Sequence, residues 1–174
     1  MGSFAAQQYL LDYSDLIAGA ILSGSRAADT IAIDSSRRGD LTSLNADFEP
    51  ARTPFDWLSR DNAEVDKYIA DPACGFGLNA EGMRAMAQAT RRTAAPVELV
   101  RIRKDLPIYI FAGDHDPVNQ HLQALRPLTA RYRAAGIKDV VEKYYPDGRH
   151  EMLNEVNRAE VFDDLLNWLT LRFG

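Results

Sequence analysis

The sequence lacks several features that would define a special class of protein. Its 174 residues include a single cysteine, Cys74, so no disulfide can form within the chain and nothing requires an oxidising compartment. No stretch reaches the roughly 18 uncharged apolar residues of a membrane helix. The first residues also lack the basic and then apolar pattern of a signal peptide. We therefore expect a cytoplasmic protein without a transmembrane segment, and a signal peptide further upstream is left open.

An excess of basic residues is also missing. The chain has 20 Lys and Arg residues against 25 Asp and Glu residues, a formal net charge of -5. This balance argues against nucleic acid as a partner, because binding phosphates requires a basic surface. The 46% of hydrophobic residues is ordinary for a globular protein, and the length suffices for one domain with a sizeable core.

Three short apolar runs predict buried β-strands. They are LIAGAILSGS at residues 16–25, LPIYIFAG at 106–113 and VVEKYYP at 140–146, and Gly, Ser or Pro residues close each run. The proline that enters the second run suits the first position of a strand. Helical patterns alternate with these runs, so the order predicts an α/β fold in which crossover helices connect parallel strands.

Helical periodicity marks the segments between and around the strands. An amphipathic helix is expected near the start of the chain, and another over residues 122–139, where Pro127 would kink it and Gly136 would stop it. A third amphipathic helix is expected over residues 161–173. The capping box Asn-Arg-Ala-Glu at 157–160 precedes it.

Residues 26–97 differ in character from the rest of the chain. They are rich in Asp, Arg and Ser, have few continuous apolar runs and contain two short helix candidates, AEVDKYIAD and NAEGMRAMAQATRR. A polar, partly helical excursion between two strands favours a lid over one edge of the sheet rather than a second domain. We therefore divide the chain into a first helix and strand (1–25), an inserted lid (26–97) and a C-terminal part of the core (98–174).

Two motifs follow the second and third predicted strands, AGDHDPVN at residues 112–119 and YPDGRHEMLNE at 145–155. Catalytic groups of parallel sheets gather just outside the carboxyl ends of the strands. Asp116 and His150 are therefore the candidate catalytic residues. An acid followed by a histidine matches the chain order of the Ser…Asp…His triad, in which the carboxylate holds the imidazole in the tautomer that can take a proton from serine.

The residues around Asp116 allow other interpretations. Asp114 is the nearest competitor for the acid, although it fits better as a residue that holds the turn, and Asp116 itself is a common turn residue before proline. Asp114, His115, Asp116 and His121 cluster in the sequence, but their spacing matches no metal-ligand pattern. We expect neither a metal nor a cofactor.

The nucleophile is not found in the same way. The nucleophile elbow is Gly-x-Ser-x-Gly between a strand and a helix. Met1 and Gly2 match its last two positions if a serine precedes Met1, whereas Ser3 does not fit because Ala5 stands two residues after it. We therefore expect the chain to begin just after the elbow. The backbone N–H of Met1, once bonded to that serine, would contribute to the oxyanion hole.

These motifs together resemble those of a known family. The chain is similar to the C-terminal half of an α/β-hydrolase of the monoacylglycerol lipase and lysophospholipase type, the serine aminopeptidase-like hydrolases. Members carry Gly-His-Ser-Met-Gly-Ser at the elbow, Gly-x-x-Asp-Pro-Val at the acid and Gly-x-x-His-Glu at the base. The corresponding segments here are MGS at residues 1–3, GDHDPV at 113–118, RHE at 149–151, NE at 154–155 and, resembling bacterial members, TPFDWLSRD at 53–61.

The resemblance implies an α/β-hydrolase fold with an inserted helical lid and a serine hydrolase acting on carboxylic esters. Its substrate would be a small acyl ester or a lipid-like molecule, and its partner the missing N-terminal half of the same fold. The 174 residues alone would be inactive because the nucleophile is absent. Weaker candidates for the substrate pocket are Ser23, Ser25, Phe55 and Trp57, which equally suit a turn or a small lid core.

Two alternatives keep the same fold. One is a catalytically inactive half or binding module, and the other is a peptidase or haloperoxidase on the same scaffold. If the chain is the C-terminal half of the fold, a physical consequence follows. Half a parallel sheet leaves an open strand edge and an uncovered apolar helix face, so the chain alone should be unstable or associate.

Overall fold

A computed structural model describes residues 1–30 and 41–174. Its three parallel strands form one sheet in the order β1-β2-β3, which confirms the predicted α/β class. Ala20 of the first strand lies opposite Ile108 of the second, which lies opposite Val140 of the third. The strands are β1 (Ala20–Ser23), β2 (Ile108–Gly113) and β3 (Val140–Tyr145).

Six α-helices alternate with these strands in the described residues. They are α1 (Gly2–Tyr13), α2 (Asn62–Ala70), α3 (Ala80–Thr90), α4 (Pro96–Leu99), α5 (Arg126–Ala134) and α6 (Arg158–Phe173). Short 3-10 turns cover Ser14–Leu16, Ala28–Thr30, Leu41–Phe48, Asp56–Leu58, Arg91–Ala94 and Met152–Asn154. None of the helices in the described part is long and apolar enough to cross a membrane.

The central strand β2 is buried on both faces, and its alternate side chains serve two separate cores. Ile108 and Ile110 point to one face, where they pack with Leu10 of α1 and Leu128 of α5. Tyr109 and Phe111 point to the other face. There they join a second cluster that includes Tyr145, Met152, Val161 and Trp168, so that α6 covers this side of the sheet.

The structure corrects three predictions about the elements. Residues 16–25 were expected to be one strand, but β1 has only four residues, because a 3-10 turn ends at Leu16 and Gly24 has left the strand. Helix α5 begins at Arg126, so Pro127 lies in its first turn, where a missing N–H costs nothing, and it does not kink the helix. The stop at Gly136 is confirmed by its φ of 90°.

The third correction concerns the capping box before α6. Asn157 is the residue that precedes the helix, as expected. Its side chain makes no bond to a helix amide, however, and its Nδ2 instead donates to Glu160 Oε2 at 3.0 Å. The position of the helix start was therefore predicted correctly, and the reciprocal capping bonds were not.

The insertion between β1 and β2 contains the two predicted helices, which are α2 and α3. Each begins at a capping side chain: Asp61 accepts from the amide of Ala63, and Asn79 accepts from the amide of Gly82. Residues 31–40 of the insertion lie outside the described part of the chain.

The outer side of α6 and the free edge of the sheet expose apolar side chains. Phe162 and Leu166 of α6 are 46% and 59% exposed, and Phe173 is 47% exposed. Ile21 of β1, which lies in register with Tyr109, is 41% exposed on the same side of the sheet. Val161 of the same helix is buried, so the apolar side chains of α6 are only partly covered. An apolar patch of this kind favours association.

We predict that the 174 residues, expressed alone, associate through this patch. The species measured by analytical ultracentrifugation should be larger than a monomer, and the double substitution Phe162→Ser and Leu166→Ser should reduce the association. The matched control is Val97→Ser, which removes another exposed apolar side chain from the distant insertion and should leave association unchanged. A monomer with a single sharp unfolding transition would contradict the prediction.

Candidate active site

Asp116 and His150 meet at the edge of the sheet where β2 and β3 end. His150 Nδ1 lies 3.0 Å from Asp116 Oδ2. Asp116 is fully buried, whereas the His150 side chain keeps 26% of its exposure. A carboxylate partner at Nδ1 selects the tautomer in which Nδ1 carries the proton and Nε2 is free to accept one. The pair therefore has the geometry of a base held by an acid.

Two glycines allow the loops after β2 and β3 to touch. A Cβ on Gly113 would lie 1.9 Å from the carbonyl oxygen of Gly148, which is shorter than any real contact. The same carbonyl accepts a hydrogen bond from the amide of His115 at 3.0 Å. Only a residue without a side chain fits at position 113. Because glycine stands there, the loop after β2 that carries Asp116 (the acid loop) can contact the loop after β3 that carries His150 (the histidine loop).

A third glycine places the end of β1 against the imidazole. Gly24 has a φ of 53°, and a Cβ there would lie 2.8 Å from His150 Cε1 and 2.9 Å from Nδ1. Backbone of this conformation is strained for other residues. All three strands of the sheet therefore contribute their carboxyl ends to the surroundings of His150.

The loop after β2 is supported by a partly buried arginine. Arg26 Nη1 donates to the carbonyl of Val118 at 2.7 Å, and Val118 in turn donates its amide to Asp116 Oδ1 at 2.8 Å. Burial lowers the pKa of the Arg26 guanidinium, and the negative charge of Asp116 opposes that shift. Arg26 thus ties the segment after β1 to the loop that carries the acid.

The histidine loop is also attached to the insertion. The amide of His150 donates to the carbonyl of Trp57 at 3.4 Å, and the amide of Glu151 donates to that of Leu58 at 2.8 Å. The Trp57 ring lies 5.3 Å from the imidazole, centre to centre, tilted by 45°. One end of the insertion therefore forms a wall beside His150.

A buried carboxylate joins these two segments. Glu155 is fully buried, and its Oε1 accepts from the amides of Arg60 at 3.0 Å and Arg149 at 3.1 Å. Its Oε2 accepts from Arg60 Nε and from the amide of Val156, both at 2.9 Å. Four donors satisfy the charge, as burial of a carboxylate requires.

Arg149 reinforces the same junction. Its guanidinium lies 4.2 Å from the centre of the Phe48 ring and donates to the carbonyls of Asp56 and Ser59. Burial lowers the pKa of Arg149, and the charges of Glu155 and Asp56 oppose that shift. Arg149 thus holds the loop that carries His150 against the insertion.

The start of α1 lies near the same edge of the sheet. The carbonyl of Met1 accepts from the amides of Phe4 and Ala5 and so opens the helix. Ser3 Oγ donates to Ser25 Oγ at 2.5 Å, and Ser25 directly follows the glycine that contacts His150. The first turn of α1, which follows the predicted oxyanion residue Met1, is thus hydrogen-bonded to the segment beside the histidine.

A cavity of about 600 Å³ opens between Met1 and the insertion. Apolar side chains make up most of its lining, among them Met1, Leu44, Tyr68, Phe76, Met83 and Met86. None of the described residues that line it is acidic or basic. None of the four residues predicted for the substrate pocket is among the lining residues of this cavity.

The four predicted pocket residues lie in other surroundings. Ser23 shares a smaller cavity of about 220 Å³ with His150. Ser25 is buried and accepts from Gln7 Nε2 at 2.9 Å. The Phe55 ring packs against the Tyr68 ring, with 5.2 Å between the ring centres. Trp57 is buried beside His150.

The remaining residues of the motifs form surface contacts. Asp114 Oδ1 accepts from the amide of Asp147 at 2.8 Å and lies 2.7 Å from His115 Nδ1. His121 Nε2 lies 2.9 Å from Asp47 Oδ2. Within residues 1–30 and 41–174, no group of three or more His, Cys, Asp or Glu side chains could hold a metal ion.

A parallel sheet whose neighbouring strands end in a hydrogen-bonded Asp and His, with a helix starting at the same edge, defines an α/β-hydrolase. The chain matches the family described as serine aminopeptidase, S33, over residues 1–157, and it belongs to that family. The resemblance seen in the sequence motifs is thereby confirmed.

Solved structures agree with this fold. A carboxyl esterase from Bacillus coagulans is similar with a TM-score of 0.82 at 23% identity, over 98% of this chain and 62% of its own. A monoacylglycerol lipase from Paleococcus ferrophilus gives 0.71 at 18% identity, over 98% and 65%. A monoglyceride lipase from Saccharomyces cerevisiae gives 0.67 at 20%, over 98% and 62%. The chain thus spans less than two thirds of each of these structures.

We predict that Gly24→Ala displaces His150 from Asp116. The new methyl would strain the positive φ at a cost of roughly 1–2 kcal/mol and would overlap the imidazole. The matched control is Gly136→Ala, which has the same kind of strain at a φ of 90° but meets only the flexible Lys104 side chain. Denaturant unfolding should show both losses of stability. NMR of the three histidines should show a changed His150 environment in Gly24→Ala alone, and an unchanged His150 signal there would contradict the prediction.

We also predict that Glu155→Ala loosens the junction between the histidine loop and the insertion. It would leave the buried amides and the Arg60 guanidinium without their acceptor, at a cost of about 3–5 kcal/mol. Hydrogen exchange at residues 57–61 should accelerate, and the free energy of unfolding should fall. Asp163→Ala, which removes an exposed carboxylate from α6, serves as the control and should change neither. Equal effects of the two substitutions would argue against the junction.

Proposed function

We propose that the protein containing this chain is a serine hydrolase that cleaves carboxylic esters, with Asp116 as the acid and His150 as the base. The observation that carries the proposal is the 3.0 Å contact between Asp116 Oδ2 and His150 Nδ1 at the carboxyl edge of the sheet. Membership of a hydrolase family and the likeness to an esterase and two lipases support it.

We infer that the nucleophile is a serine bonded directly to Met1. Met1 opens helix α1, and its neighbour Ser3 is hydrogen-bonded to Ser25 beside the histidine contact. A serine at this place would stand at the N-terminal end of a helix, where backbone N–H groups and the helix dipole favour a developing negative charge.

The reaction follows from these positions. His150 Nε2 takes the proton of the serine hydroxyl as the oxygen attacks the ester carbonyl, and Asp116 stabilises the imidazolium that forms. The carbonyl oxygen becomes an oxyanion that the N–H of Met1 can bind. His150 then gives its proton to the departing alcohol, and water hydrolyses the acyl-serine by the same steps in reverse. This chemistry needs no metal and no cofactor.

The substrate proposal rests on the cavity beside Met1. Its volume of about 600 Å³ and its apolar lining suit the acyl part of a small or lipid-like ester. We propose residues 26–97 as a lid over this site, because α2, α3 and the Leu41–Phe48 turn supply much of the lining. Residues 1–25 and 98–174 would be the core on either side of it.

A peptidase is the second candidate, since the family description names an aminopeptidase. Such an enzyme must hold the ammonium group of its substrate, for which a carboxylate is the ordinary partner. The described lining of the larger cavity offers none, so the structure favours an ester.

We further propose that the preceding residues of the protein cover the exposed face of α6 and pair with β1. The cytoplasmic location remains a prediction from the sequence.

We expect a fluorophosphonate probe to label the full-length protein at the residue before Met1. Short p-nitrophenyl esters should be hydrolysed, and a series of acyl lengths would define the preference. Asp116→Asn should lower kcat by on the order of 10³-fold to 10⁴-fold, since the imidazole loses its acceptor. The substitution His150→Ala should lower kcat at least as far. His115 lies on the surface, so His115→Ala should retain activity.

Two results would decide against this proposal. One is the absence of labelling together with wild-type turnover in Asp116→Asn, which would remove the triad. The other is faster cleavage of aminoacyl p-nitroanilides than of esters by the same sample, which would establish the peptidase instead. The 174 residues alone are expected to show no turnover.

A further inference from the structure

Asn119 is a fully buried amide in a turn with an unusual backbone. The three residues that follow it, Gln120, His121 and Leu122, have φ values of 54°, 52° and 69°. None of them is glycine, and L-residues adopt this left-handed conformation only at an energetic cost. Strained segments of this kind persist where the surrounding structure fixes them and are concentrated at functional sites. We therefore expect this turn to hold a functional side chain in place.

The turn holds the Asn119 side chain against the acid. Its Nδ2 donates to Asp116 Oδ2 at 3.0 Å, and its Oδ1 accepts from the amide of Leu122 at 2.7 Å. The Leu122 amide can only donate, so it must face the carbonyl end of the Asn119 side chain. The amino end is thereby directed to Asp116. The left-handed residues are what bring the Leu122 amide to this position.

Asp116 Oδ2 consequently receives two donors, one from Asn119 and one from His150 Nδ1. Oδ1 receives the amide of Val118. Hydrogen bonds to the ionised form of a carboxylate stabilise that form, and two fixed donors also prevent rotation of the group. The oxygen that must accept from the imidazole is therefore held in place from its other side.

We propose that Asn119 is a positioning residue that holds the Asp116 carboxylate in the orientation that faces His150. This inference rests on the proposed function, because it assigns a role relative to the acid of the triad. The two ends of the Asn119 side chain have separate tasks: the carbonyl supports the turn, and the amino group supports the acid. A substitution can separate these tasks.

Asn119→Asp is the variant that separates them. It has the same shape and retains an oxygen for the Leu122 amide, but it removes the donor to Asp116 and places a second carboxyl group beside Oδ2. In the full-length protein we expect kcat for a p-nitrophenyl ester to fall about 10-fold to 100-fold at neutral pH with little change in KM. The pH profile of kcat/KM should also change, because two carboxyl groups at this separation cannot both be ionised and instead share one proton beside the imidazole.

The matched control is Gln120→Glu. It makes the same change from amide to carboxylate one residue later in the turn, on an exposed side chain. It should leave kcat and both limbs of the profile near their wild-type positions. If Asn119→Asp gives a wild-type profile with neither limb displaced, Asn119 has only a structural role and the inference fails. A displaced limb in Asn119→Asp but not in Gln120→Glu supports it.

Asp116→Asn, measured in parallel, separates failure of this inference from failure of the proposed function. Wild-type activity in Asp116→Asn overturns both, whereas loss of activity there with a wild-type Asn119→Asp overturns the role of Asn119 alone. If Asn119→Asp does not fold, as judged by circular dichroism, Asn119→Ser replaces it. Serine adds no charge and cannot serve both partners at once, so kcat should fall about 10-fold with the limbs unmoved, and full kcat would overturn the inference.

Discussion

The contact between the loops that follow β2 and β3 is the constraint on which the site depends. Two adjacent parallel strands deliver their carboxyl ends to one edge of the sheet, but the acid and the histidine can meet only if their loops touch. Gly113 and Gly148 make that approach possible, since a side chain at position 113 would overlap the backbone of the opposite loop. The hydrogen bond between Asp116 and His150 follows from the register of the strands and from this absence of side chains.

Around that contact the buried carboxylates are supplied with hydrogen-bond donors. Asp116 and Glu155 are both fully buried carboxylates, and the donors around them come from different parts of the chain. For Asp116 the donors are the following turn and the histidine. For Glu155 they include Arg60 of the insertion. The two cores on either side of β2 give the strands the rigidity that such exact pairing needs.

Sequence patterns were sufficient for much of this arrangement. The run over residues 106–113 predicted β2 well, because a strand buried on both faces is apolar at nearly every position. Residues 16–25 were less informative, since a short strand and the turns around it can be equally apolar. The chain order of Asp116 and His150 was enough to predict their meeting. Burial of Asn119 and Glu155 could not be predicted, because polar residues in a loop carry no periodic signal that distinguishes a buried one from an exposed one.

The attachment of residues 57–61 to the histidine loop has a consequence for how this fold can vary. Two backbone bonds and the Glu155 carboxylate attach that stretch to the loop that carries His150, although in chain order it belongs to the insertion. A chimaera that exchanged the whole insertion with that of a relative would place foreign residues at positions 57–61, against His150. If the crossover point lay after Asp61 instead, residues 57–61 would keep their contacts with the loop that carries His150. Helices α2 and α3 could then differ in shape and chemistry without changing the surroundings of His150.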